Sequence, residues 1–146
     1  MPDAVATPVY PLPPRTRIKI CGLTREEDVD AAVTAGADAI GFVLYAPSPR
    51  AVSVERSAAL AQRLPAFVTP VLLFVNEEPS KVIAACAHVP GATAQFHGDE
   101  TPEQCWQSAG QGHSAFLRAA RIPRGDAPTQ FDPVEYAHRY SHARAI

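Results

Sequence analysis

No apolar run in this 146-residue sequence approaches the roughly 18 residues that a membrane-crossing helix needs, so a transmembrane reading fails at once. The N-terminus carries neither the basic start nor the apolar stretch of a secretory signal. Charge of one sign is lacking too: 13 Lys and Arg face 15 Asp and Glu, for a formal net charge of -2. That balance gives no electrostatic case for nucleic acid or for an anionic membrane surface. Cysteine is scarce. Its three residues show no close pairing, which argues against a disulfide framework and fits a reducing compartment. The expected location is cytoplasmic.

Apolar residues are plentiful at 47%, with 19% charged, a composition that can build a core. The length suits one domain. Proline is distributed unevenly: Pro2, Pro8, Pro11, Pro13 and Pro14 crowd the start, with no helical or strand period around them. Residues 1–16 therefore read as an extended leader, because proline removes backbone donors and interrupts both regular structures. Residues 17–146 form the domain.

From Arg17 onward a short apolar run, a cap and a helical stretch recur. The runs are Ile18–Cys21, Ala39–Leu44, Val71–Val75, Ala92–Phe96 and Ala115–Ile122, and a further run begins at Ala143. Starts roughly 20 to 30 residues apart match successive βα units. The runs are continuous rather than alternating, as in parallel strands covered on both faces. Thr24-Arg25-Glu26-Glu27 and Thr101-Pro102-Glu103-Gln104 read as capping boxes, and Asp132 as an acidic cap before Pro133. Gly36 should end the first helix. Val82, Ala85, Cys86 and Val89 make one apolar helix face. Five βα units and the start of a sixth strand leave two architectures open: a doubly wound sheet, or part of a (β/α)₈ barrel, which takes about 200 residues or more.

In both, chemistry collects at the carboxyl ends of the strands. The first run ends in Lys19-Ile20-Cys21-Gly22-Leu23-Thr24 and the second leads into Ser48-Pro49-Arg50. The third closes as Phe74-Val75-Asn76 and the fourth as Gln95-Phe96-His97-Gly98-Asp99-Glu100. With these segments in this order, the chain resembles the phosphoribosylanthranilate isomerase family of tryptophan biosynthesis over residues 17–146. Phe96 stands where the family usually has an aliphatic residue.

The resemblance implies a (β/α)₈ fold, a phosphosugar substrate and no metal or organic cofactor. It also implies an Amadori rearrangement of N-(5-phosphoribosyl)anthranilate to 1-(2-carboxyphenylamino)-1-deoxyribulose 5-phosphate. Read alone, Cys21 is better taken as a small buried apolar residue; the match reverses that and makes it the general base. Arg50 is the candidate for the anthranilate carboxylate, since a guanidinium offers a planar bidentate fork and Pro47 and Pro49 stiffen its loop. Gln95 and His97, two apart on one strand, face the same side and are candidate substrate contacts, although His97 could instead bond the backbone. Gly22 either lets the backbone approach the substrate or makes a plain tight turn.

Asp99 and Glu100 are expected to cap the next helix. Cys86 and Cys105 are expected to be structural, because with His88 they lack the spacing of a zinc site. Lys19, the one strand-end lysine, is accounted for by the motif. The resemblance places the general acid, an aspartate, at the far end of the sixth strand, and the phosphate in loops after the seventh and eighth. Asp126 and Asp132, before or at the start of the fifth helix, are poor substitutes for that acid. The 146 residues are thus expected to hold the base and carboxylate anchor without the acid and phosphate clamp. Such a chain should be inactive alone, with strand edges open to self-association. The alternatives are a non-catalytic partial barrel and another phosphosugar barrel such as indoleglycerol-phosphate synthase, which would need catalytic lysine and glutamate at strand ends.

Overall fold

The computed structural model describes residues 15–122 and 131–146. Among these residues five strands and five helices alternate: β1 (Lys19–Cys21), α1 (Glu26–Thr34), β2 (Ala39–Val43), α2 (Val54–Ala61), β3 (Thr69–Phe74), α3 (Pro79–His88), β4 (Thr93–Phe96), α4 (Pro102–Ser108), β5 (Phe116–Arg118) and α5 (Pro133–Arg139). All strand pairs are parallel and the sheet order is β1-β2-β3-β4-β5. A doubly wound sheet must reverse direction at a switch point. This one never does, so it winds as a (β/α)₈ barrel winds. The sixth run behaves as expected: Leu117 bridges Ala145 in parallel, and the Arg118 amide donates to the Ala145 carbonyl at 3.0 Å.

Four of the strands are shorter than their apolar runs, most of all β5, which keeps three residues of the run Ala115–Ile122, while β3 starts two residues before its run and ends one residue short of it. Of the predicted leader, residues 1–14 lie outside the described residues; Arg15 is described and pairs with Asp38 at 2.6 Å. Asp126 also lies outside them. No helix among the described residues is long and apolar enough to cross a membrane.

Local signals decided most helix ends. Thr101 and Gln104 form the expected capping box, and the Asp132 carboxylate accepts from the amides of Val134 and Glu135. Gly36, at φ +92°, ends α1: its amide donates to the Val33 carbonyl, and that of Ala37 to Ala32. The expected box at Thr24 is not formed. The cap of α1 is Arg25, whose side chain accepts nothing and instead binds Asp28 at 2.8 Å. Glu27, the carboxylate of that box, lies 3.3 Å from Arg25 instead, and the neighbouring Glu26 binds Arg56 of α2 at 2.6 and 2.8 Å. Charge-assisted pairs thus take both carboxylates in place of one capping bond.

Ile40, Phe42, Leu72, Phe74, Phe96 and Phe116 project from the strands into the core against Val29, Leu60, Val82, Val89 and Cys105. Phe96, the one mild departure from the family's pattern, is 1% exposed and sits between Phe74 and Phe116, with ring centroids 6.4 and 5.5 Å away. It is therefore a core residue on the face opposite the cleft. On β1 the same outward face leaves Ile18 and Ile20 exposed, at the one end of the sheet.

Arg56 holds the Glu26 carboxyl down from 4.5 to about 2. The folded chain thus keeps a carboxylate charged where the unfolded chain would already be protonated. The stabilisation is present above pH 4.5 and is lost as pH falls toward 2. The urea midpoint should fall across that window, and Glu26→Gln should flatten part of the slope. An unchanged slope in Glu26→Gln would assign the acid sensitivity elsewhere, first to Asp38, which Arg15, the Ile18 amide and Arg17 hold well below the usual carboxylate range.

Candidate active site

At the carboxyl ends of the strands lies an open cleft of about 430 Å³. It is lined by four of the residues singled out above (Cys21, Arg50, Gln95 and His97) together with Lys19 and Arg121. Side chains on alternate strand positions share a face, which is why Lys19 and Cys21 of β1, and Gln95 and His97 at β4, all point inward. Leu73, which pairs with Gln95, and Val43, which pairs with Leu73, complete the apolar floor.

Gly22 lines the turn after β1 at φ +84°, and its amide donates to the Gly41 carbonyl at 2.7 Å. What closes over it is Arg50. The positive φ favours glycine, and a Cβ at position 22 would come within 2.5 Å of the Arg50 Nη1 and push the guanidinium off the turn. Arg50 Nη1 donates to the Cys21 carbonyl at 2.9 Å, and the Arg50 amide donates to Ser48 Oγ at 3.2 Å. The loop itself is a tight turn, with the Ser48 amide on the Tyr45 carbonyl at 2.9 Å. One nitrogen of the fork is thereby held at β1, and the other side of the fork has no partner among the described residues.

Gln95 is 8% exposed, and its Oε1 is buried without a hydrogen-bond partner among the described residues. An unpaired buried acceptor costs stability unless a ligand or water fills it. The His97 ring makes no hydrogen bond among the described residues. The backbone-bonding alternative raised for it is therefore not what the structure shows. Burial, and then the charges of Arg121, Arg118 and Lys19, push His97 below its usual 6.5 against the opposing Glu100. At neutral pH its imidazole is uncharged, with one nitrogen donating and the other accepting.

Glu100 does not cap α4. Its carboxylate accepts from the Asn76 amide at 2.7 Å, the Gly98 amide at 2.9 Å and Arg118 Nη1 at 3.1 Å. Both side chains of that ion pair are 5% exposed. Arg118 also donates to the carbonyls of Phe96 and Gly98, each at 2.9 Å, and lies 4.9 Å over the Tyr140 ring. Tyr140 in turn donates to the Glu100 carbonyl. Asp99 does not cap α4 either; its side chain lies 3.7 Å from Arg121. The pair fixes the ends of β3, β4 and β5 behind His97. Arginine inside the apolar run Ala115–Ile122 was the signal, since a buried guanidinium demands a carboxylate. Arg121, whose Nη2 donates to the His97 carbonyl at 2.8 Å, was also missed.

Cys86 and Cys105 are packed behind the sheet, and burial pushes both thiols up to about 11. They are mostly protonated at neutral pH and so poor nucleophiles there. Among the described residues no group of three or more His, Cys, Asp or Glu could hold a metal ion.

The sequence model of the family described as N-(5'phosphoribosyl)anthranilate (PRA) isomerase matches residues 18–143. The chain belongs to this family. It is 60% identical over 132 residues to the N-(5'-phosphoribosyl)anthranilate isomerase of Methylibium petroleiphilum, covering 90% of this chain and 58% of that protein. The isomerase of Dechloromonas aromatica is 55% identical over 132 residues, at 90% and 59% coverage. Among solved structures, Thermotoga maritima phosphoribosylanthranilate isomerase, in a monomeric form, superposes with TM-score 0.75 at 33% identity, over 90% of this chain and 63% of that one. An isomerase complexed with reduced 1-(o-carboxyphenylamino)-1-deoxyribulose 5-phosphate gives TM-score 0.70 at 38% identity, over 75% and 56%. The chain thus spans 58% and 59% of the length of these two curated relatives.

Proposed function

We propose that these strands supply the base and the carboxylate anchor for the Amadori rearrangement of N-(5-phosphoribosyl)anthranilate, in the cytoplasm. The observation that carries this reading is the placement of the Cys21 strand end and the Arg50 guanidinium, joined across Gly22 in a cleft that no carboxylate among the described residues lines. A cationic cleft suits an anionic substrate, and a planar fork suits its carboxylate. Gln95 Oε1 and the neutral His97 ring offer an acceptor and a donor to the sugar hydroxyls.

In the proton-transfer step the ring-opened substrate is an iminium at C1. The Cys21 thiolate takes the proton from C2. The C2–H electron pair becomes the C1–C2 double bond, the C1–N π pair moves to nitrogen, and a neutral enolamine and a thiol result. The enolamine then tautomerises to the ketone. Ring opening needs an acid at the ring oxygen, and the phosphate needs an anchor. The family resemblance assigns both to later strands.

The test is calorimetry with reduced 1-(o-carboxyphenylamino)-1-deoxyribulose 5-phosphate on a chimera. In it, residues 18–143 replace the matching segment of the Methylibium petroleiphilum protein. Arg50→Ala should weaken Kd by about 10- to 100-fold, the worth of hydrogen bonds to a charged group. Arg50→Lys should recover only part, because the second contact of the fork is lost. Equal affinity for the parent chimera and Arg50→Ala would remove Arg50 from the site.

A further inference from the structure

We infer that Lys19 is the counter-ion of the Cys21 thiolate, a positioning residue that keeps the base charged. This inference rests on the reading of Cys21 as the base, and its test is independent of turnover.

Gly41 of β2 pairs with Cys21 and has no side chain. The space above it is filled from β1 instead. A Cβ built at Gly41 would lie 2.7 Å from Cys21 Sγ and 3.1 Å from Lys19 Nζ. Two atoms that close to one point are no more than 5.8 Å apart, by the triangle inequality on those distances. An ammonium at that range, in a half-buried site, favours the charged form of a thiol. Among the described residues Lys19 makes no ion pair with a carboxylate, so its charge is not already spent.

The groups facing the cleft from other elements set the background. They are Tyr45 and Arg50 after β2, His97 after β4 and Arg121 after β5, while the β2 and β3 positions are the apolar Val43, Leu73 and Val75. The nearby carboxylates are engaged elsewhere: Asp99 faces Arg121 and Glu100 is held by Arg118. Arg50 is the other cation close to Cys21, but it is tied to the Cys21 carbonyl. Lys19 Nζ instead shares the space above Gly41 with the sulfur itself.

The experiment is alkylation of the 146-residue chain by iodoacetamide, a neutral reagent that the cationic cleft does not concentrate, with the Cys21 peptide quantified by mass spectrometry. At pH 7.5, Lys19→Met should slow labelling of Cys21 by about tenfold or more, and Lys19→Arg should stay near wild type. As pH is raised the rates of wild type and Lys19→Met should converge, because the difference in charge at position 19 matters less and less. Loss of mere packing would not produce that convergence. Equal labelling of wild type and Lys19→Met at pH 7.5 overturns the inference, and so does a loss in Arg50→Met with none in Lys19→Met. If Cys21→Ala still abolishes turnover of the chimera in either case, the base assignment stands and only the role of Lys19 falls.

Discussion

Cys21→Ala is expected to lower kcat of the chimera by about 10²- to 10⁴-fold, the usual contribution of a positioned general base. Affinity for the reduced product analogue should change little, because a base at position 21 would act only on the C2 proton and Arg50 remains in place. The readout is loss of anthranilate fluorescence under saturating substrate. Cys86→Ala and Cys105→Ala are the internal controls. Both thiols sit behind the sheet and are raised to about 11 by burial, so neither substitution should touch kcat. A Cys21→Ala enzyme within a few-fold of its parent would refute the assignment, whatever the analogue binding shows. The 146-residue chain assayed alone should stay near background, because no carboxyl group among the described residues lines the cleft to protonate the ring oxygen.

The second large effect is on stability. Arg118→Met should cost about 3–5 kcal/mol, the range for stripping one partner from a buried ion pair. The cost is high because Glu100 would keep its two amide donors but lose the guanidinium, inside a site 5% exposed. The Gly98 carbonyl would lose its guanidinium donor as well, while the Phe96 carbonyl would keep only the Ala119 amide. Urea unfolding of the chain measures this directly. Should Arg118→Met fail to fold, the double variant Arg118→Met/Glu100→Gln remains informative. Without the stranded charge it should be more stable than Arg118→Met, whereas independent contributions would make it worse. A loss below about 1 kcal/mol in the single variant would reduce the pair to an exposed one in energy.

How legible these features were follows the distance over which each is decided. The capping box at Thr101 and the cap at Asp132 were readable because all the partners lie within three residues. The box at Thr24 was misread because the helix starts one residue later: its carboxylate, Glu27, pairs with Arg25, while the neighbouring Glu26 found Arg56 thirty residues on, a partner that no local pattern announces. Cys21, Arg50, Gln95 and His97 were each named from strand-end position and motif. Their common cleft follows from period-two alternation once the strands are parallel and in sequence order.

The sequence by itself determined the βα repeat, the family and the residue types at the strand ends, because apolar runs, caps and motifs are properties of neighbouring residues. Tertiary structure alone decided that the strands wind in one direction rather than two. It decided that Arg50 lies on Gly22 and not free in solvent. It also turned Glu100 from an apparent helix cap into the anchor of Arg118, eighteen residues away. A buried charge takes whichever partner the fold carries to it, and sheet register brings Phe96 and Arg118 side by side across β4 and β5. That meeting has no counterpart in local spacing.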